Sequence, residues 1–145
     1  MEVFGGSADL EGANTWTNQG VPWLVVDDGL QVMTGATLTL EAGVELQFQG
    51  LGALEGVFVL GDVVANGTAD KHVKFSGYVY SFSGNRGSLT VTNGIFKGPK
   101  LLPIDGTNLG GLTLTNVTFD PGMSIRQACG KTTLTNTMVT IEPGC

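Results

Sequence analysis

Short bursts of alternating apolar and polar residues run along most of this chain. Leu38 and Leu40 alternate with Thr37 and Thr39, and Val44, Leu46 and Phe48 alternate with Glu45 and Gln47. Side chains on a strand point to opposite faces with period two, so each burst predicts a short strand with one buried face. The bursts end at turn signals: Asp27-Asp28-Gly29, Gly35, Glu41-Ala42-Gly43, Gly61-Asp62 and Asn66-Gly67. Val57 and Val59 face one way, and Val63, Ala65, Val73 and Phe75 continue the inward set.

The last third is the most regular. Thr90-Val91-Thr92-Asn93 returns as Thr113-Leu114-Thr115-Asn116 and as Thr133-Leu134-Thr135-Asn136. In each copy the aliphatic residue points inward. The asparagine takes the bend, because Asn tolerates the left-handed backbone conformation. Phe96, Phe119 and Val139 return inward on the following strand, and Leu102/Ile104 and Met123/Ile125 supply a third strand between copies. Taking Thr37, Phe58, Thr90, Thr113 and Thr133 as equivalent gives spacings of 21, 32, 23 and 20 residues. The long interval coincides with Gly77–Gly87, where Tyr78, Tyr80 and Phe82 fit no repeat position, so an inserted loop is expected there.

A repeat of this length with three short strands and no helix cannot bury its apolar residues alone. Stacked copies can, by sharing one inner column. The fold expected is therefore all-β: a right-handed parallel β-helix of about five coils, three short strands per coil, with one inserted loop near 77–87. Residues 1–20, rich in Gly, Asn and Thr, are expected to form an N-terminal cap or arm, and 21–145 the β-helix domain. The rival is an antiparallel sandwich or jelly roll, which does not require identical T-x-T-N segments at coil-length spacing.

Composition changes the picture by what it removes. The chain has 145 residues, net charge −6, and seven basic residues scattered from Lys71 to Lys131. That balance argues against nucleic acid or an anionic membrane as partner. No apolar run reaches the ~18 residues of a membrane span. Polarity is carried by Thr, Asn, Ser and Gly, and 23 glycines disfavour long helices. The N-terminus, Met1-Glu2-Val3-Phe4-Gly5-Gly6, lacks the basic-then-apolar pattern of a signal peptide. The expectation is a chain used without that export route, or a processed or recloned segment.

Gly35-Ala36-Thr37-Leu38-Thr39-Leu40-Glu41-Ala42-Gly43-Val44, Val63-Val64-Ala65-Asn66-Gly67-Thr68-Ala69-Asp70 and Val73-Lys74-Phe75 resemble the opening coils of right-handed parallel β-helix proteins of the pectate-lyase-like superfamily. Thr140-Ile141-Glu142-Pro143-Gly144 is similar to the first of these pieces. The resemblance implies the fold and export. It points to the non-catalytic β-helix regions of bacterial surface proteins. Members that cleave polysaccharide carry acidic clusters for calcium and a basic proton abstractor, and no residue of this chain takes over either role.

The candidate chemistry is sparse. Asp27-Asp28 could offer carboxylate oxygens to a cation but reads better as a turn pair. His72 is the single histidine, and a general base needs a partner within hydrogen-bond reach. Glu41, Glu45 and Glu55 would be the carboxylates of a glycoside hydrolase, yet their alternation places them as solvated side chains. Asn66-Gly67-Thr68 and Asn116-Val117-Thr118 match the glycosylation acceptor pattern and equally fit plain bends. Asn93, Asn116 and Asn136 are expected to form a structural amide ladder. Thr90, Thr92, Thr113, Thr115, Thr133 and Thr135 are expected to form a flat outward array, which is the form an ice-binding face would take. Threonine is also simply a good exposed strand former. Cys129 and Cys145 match no metal or redox spacing and are candidates for a disulfide.

The expectation for function is a non-enzymatic structural or adhesive β-helix protein on an outer surface, either a virion decoration or fibre component or a bacterial surface module, and without a cofactor. Coil ends carry unpaired strand edges, so protein partners there, a homo-oligomer or a larger assembly, are expected. The alternatives are an ice-binding protein using the Thr-x-Thr array and a polysaccharide-binding or -cleaving β-helix protein.

Overall fold

The computed structural model describes residues 2–3, 8–26, 29–49, 56–77, 80–98, 102–129 and 131–143. The first coil holds β1 (Glu2–Val3), β2 (Ala8–Leu10) and β3 (Ala13–Trp16). The second holds β4 (Trp23–Val25), β5 (Leu30–Val32) and β6 (Thr37–Leu40). The third holds β7 (Glu45–Phe48), β8 (Gly56–Val59) and β9 (Asp62–Asn66). The fourth holds β10 (Val73–Gly77), β11 (Ser81–Gly84) and β12 (Ser88–Thr92). The fifth holds β13 (Gly94–Lys97), β14 (Ile104–Asp105) and β15 (Gly111–Thr115), and the sixth β16 (Thr118–Phe119), β17 (Ser124–Arg126) and β18 (Thr132–Thr135). A last strand, β19 (Thr140–Glu142), closes the described chain.

Every third strand stacks. Sheet 1 runs β1-β4-β7-β10-β13-β16, sheet 2 runs β2-β5-β8-β11-β14-β17-β19, and sheet 3 runs β3-β6-β9-β12-β15-β18. The pairings are all parallel, which removes the antiparallel sandwich. The chain is a parallel β-solenoid of about five turns: six strands in sheets 1 and 3 are separated by five rises. The connection between parallel neighbours is the rest of the coil, so no crossover helix is needed.

The inward positions form one column. Leu38, Val63, Leu89 and Leu112 stack in sheet 3, and Val57, Phe82, Ile104 and Ile125 in sheet 2, all essentially inaccessible. Sheet 1 contributes Leu46, Phe75, Phe96 and Phe119 at one register position. Phe96 stacks on Phe75 at 4.6 Å and on Phe119 at 5.0 Å, and Phe82 meets Phe75 edge-on at 5.0 Å. Offset and edge-to-face ring pairs add stabilisation beyond the area they bury.

Two sequence expectations are corrected. Residues 77–87 are not an insertion. Gly77 ends β10, and Ser81–Gly84 is β11, a regular rung of sheet 2 with Phe82 opposite Val57 and Ile104. Tyr80, fully buried, stacks on Phe48 at 4.8 Å, and its hydroxyl donates to the Lys97 carbonyl at 2.9 Å. Tyr78 and Val79 lie outside the described residues. The error came from equating Phe58 with Thr37. Phe58 belongs to sheet 2, opposite Gln31 and Ser83, whereas Thr37 pairs with Asp62. The true equivalents are Thr15, Thr39, Val64, Thr90, Thr113 and Thr133, at intervals of 24, 25, 26, 23 and 20 residues. No interval is anomalous.

Residues 1–20 are the second correction. They carry β1, β2 and β3, one outermost rung in each sheet, so strands begin at Glu2 rather than near Val21. Trp16, at the end of β3, is buried by stacking on Trp23 at 4.5 Å.

Candidate functional site

Sheet 3 brings the threonines together. Thr90, Thr113 and Thr133 share one register position, and Thr92, Thr115 and Thr135 share the next outward position. Alternation turns Leu89, Val91, Leu112 and Leu114 into the core and leaves the threonines half-buried or exposed on the outer surface. The grid is about 4.8 Å between rungs and about 6.7 Å along each strand. The first column continues beyond the repeats through Val64 and Thr39 to Thr15. Five of its six positions are Thr, and the sixth, Val64, has the same branched shape. Phe58 does not interrupt it, because Phe58 projects from sheet 2, where it is 40% exposed.

The three asparagines occupy the corner from sheet 3 to sheet 1. Their φ angles are +51° at Asn93, +53° at Asn116 and +47° at Asn136, the left-handed region in which Asn is tolerated. Asn136 Nδ2 donates to Asn116 Oδ1 at 2.7 Å. Asn93 Nδ2 donates instead to the Gly67 carbonyl at 3.1 Å. Gly67 fills the corresponding corner one rung earlier, and a Cβ there would sit 2.2 Å from the Asn93 carbonyl oxygen. The amide ladder thus has one side-chain rung and one side-chain-to-backbone rung.

Beside this corner lies a shallow cleft of about 460 Å³, lined among others by His72, Asn116, Asn136, Thr118, Phe119 and Met138. None of its lining residues is acidic. His72 is half-buried and Met138 is 94% exposed.

Sheet 2 carries a charged row that the sequence reading missed. Asp105, Arg126 and Glu142 are opposite one another on β14, β17 and β19. Arg126 bonds Asp105 at 3.1 Å and approaches Glu142 at 3.9 Å, and the Ser124 hydroxyl donates to Glu142 at 2.7 Å. Burial raises the Asp105 pKa, but hydrogen bonds from the Thr107 hydroxyl and N–H and the neighbouring guanidinium outweigh it and hold the carboxyl below its ordinary 3.8. Burial, and then the charge of Asp120, pushes the Tyr80 phenol far upward. The row could have been found only with the rungs correctly aligned.

Of the remaining candidates, Asp27, Asp28 and Glu55 lie outside the described residues. Glu41 is exposed, and Glu45 accepts from Gln47 Nε2 at 3.2 Å. Asn66 is exposed at the end of β9, and Asn116 is engaged in the ladder. Among the described residues no three His, Cys, Asp or Glu side chains gather as a metal site. Cys129 is disulfide-bonded, while Cys145 lies outside the described residues. The offset from β17 to β19 is 16 residues (Ser124 opposite Thr140), which is also the separation of the two cysteines.

No family model, no curated protein and no solved structure matches the chain.

Proposed function

We propose that this chain is a non-enzymatic structural or adhesive solenoid displayed on an outer surface, as a virion decoration or fibre component or as a bacterial surface module. The observation that carries the reading is the C-terminal end of the stack. There Ile141 is 43% exposed and Phe119 and Leu134 are only partly covered, whereas their equivalents one rung earlier, Ile125, Phe96 and Leu114, are sealed, and Met138 beside them is 94% exposed. An uncovered apolar end beside the outer strands of three sheets is a surface for another protein layer. The disulfide at Cys129 supports an oxidising, extracellular setting. The finer assignment, to the right-handed pectate-lyase-like β-helices, rests on the opening-coil segments named above. Solution mass tests the reading. Sedimentation equilibrium should give multiples of 15.1 kDa, or a hetero-complex with a surface partner. A strict monomer that captures nothing would end it.

A second reading, ice binding, is favoured by the column from Thr15 to Thr133, which is longer than the T-x-T-N repeats alone. A freezing-hysteresis assay decides it: hysteresis that Thr113→Tyr abolishes supports it, and none, or hysteresis untouched by that change, excludes it.

A further inference from the structure

A solenoid maps sequence position onto axial position, so the order of charges along the chain becomes a charge distribution along the rod. Residues 1–70 hold ten acidic residues and no Lys or Arg, a net −10. Residues 71–145 hold seven basic and three acidic residues, a net +4, and the two together give the −6 of the chain. The boundary falls between the third and fourth coils. The described side chains keep the division: Asp9, Glu11, Glu41, Glu45 and Asp62 lie on the first three coils, and Lys74, Arg86, Lys97 and Lys131 on the next three.

We propose that the C-terminal end of one solenoid docks on the N-terminal end of a second copy, giving head-to-tail rods. The inference rests on the assembly reading above and specifies its geometry. Of the four large apolar side chains exposed among the described residues, Met138 and Ile141 lie at the C-terminal end of the stack, Val21 precedes the second coil and Phe58 is on sheet 2, whereas the outer face of sheet 3 is threonine. Charge then selects which end meets which. End to end, the +4 half of one copy and the −10 half of the next have centres about 14 Å apart, three rises. Like halves are roughly twice as far. At ~0.1 M salt the Debye length is about 10 Å, so the attraction persists and the repulsion is mostly screened. Two N-terminal ends in contact would bring the −10 halves together. Two C-terminal ends would bring the +4 halves together. Such an interface is heterologous and does not close, so it propagates.

The test combines zero-length carbodiimide cross-linking, on a mixture of isotopically light and heavy protein, with sedimentation velocity. Inter-copy links from Lys131 to Asp9 or Glu11 are expected at 0.1 M salt. Association should weaken at least tenfold in 1 M salt and in the exposed-site variant Lys97→Glu/Lys131→Glu, with the fold of that variant checked by circular dichroism. Association that persists with links between like ends or along the sides overturns the head-to-tail geometry and leaves the structural reading standing. Association indifferent to both salt and the charge changes overturns the electrostatic selection. Absence of any association overturns this inference, and the broader reading falls with it only if no other partner is captured.

Discussion

Phe96→Ala is the perturbation that interrogates the shared core. Phe96 is fully buried, stacked on Phe75 at 4.6 Å and Phe119 at 5.0 Å, and edge-on to Phe82 at 6.0 Å. Truncation removes the ring's burial and leaves a cavity between rungs that backbone ladders on three sides prevent from collapsing. Core Phe→Ala changes cost about 3–5 kcal/mol, and the loss of three ring contacts places this one at the upper end, about 4–5 kcal/mol. Phe119→Ala removes a half-buried ring with one stacking partner on the sixth coil, and about 1–2 kcal/mol is expected. The assay is urea unfolding followed by far-UV circular dichroism and by tryptophan fluorescence. Both tryptophans, Trp16 and Trp23, sit on the first two coils. Each rung touches only its neighbours, so Phe119→Ala should lower the dichroism midpoint and leave the tryptophan midpoint nearly unmoved. A Phe96→Ala cost below about 1.5 kcal/mol, or a Phe119→Ala cost equal to it, would refute a core shared rung by rung.

Three further outcomes follow from the same geometry. Asn116→Ala should destabilise by about 1–2 kcal/mol for the left-handed backbone plus about 1 kcal/mol for the lost amide bond, and Asn116→Gly should recover the backbone part, measured by denaturant unfolding. The folded pKa of Asp105 lies below its unfolded value, so its contribution is fully present above pH 3.8 and is lost as pH falls through the lower folded value; Asp105→Asn should flatten the melting temperature between pH 4 and pH 2, where the native protein's falls. We propose that Cys129 pairs with Cys145. Cys129→Ser or reduction should cost about 3 kcal/mol for a loop of this length and should release β19 first, seen as early amide exchange over residues 140–142.

The alternation and the T-x-T-N copies made the stacked strands legible, because in this fold inward and outward residues repeat rung by rung. The alignment of the early coils was not legible. Strand periodicity is two on every sheet, so Phe58, outward on sheet 2, passed for the equivalent of Thr37, outward on sheet 3, and the third coil was misplaced. The corners add to the ambiguity. From the end of a sheet 1 strand to the start of the following sheet 2 strand the numbering advances by four (Gly77 to Ser81) to eight (Phe48 to Gly56), so no fixed repeat length identifies the register. Tyr80 and Phe82 looked irregular because aromatic residues appear at no equivalent position in the T-x-T-N copies, yet they fill the core beside Phe48 and Phe75. The threonine face was half visible: Thr15-Trp16-Thr17-Asn18 is a further T-x-T-N segment, masked by an aromatic residue where the other copies carry an aliphatic one. The Asp105–Arg126–Glu142 row has no local sequence signal, since its members meet only across rungs.

On the head-to-tail proposal, this rod acts through its ends. Small-angle X-ray scattering across a concentration series at ~0.1 M salt tests it most directly. Particles should lengthen in steps of roughly 30 Å, the height of one stack, while the cross-section stays that of a single solenoid. A cross-section that grows with mass, or a particle that remains one solenoid long at every concentration, would contradict it.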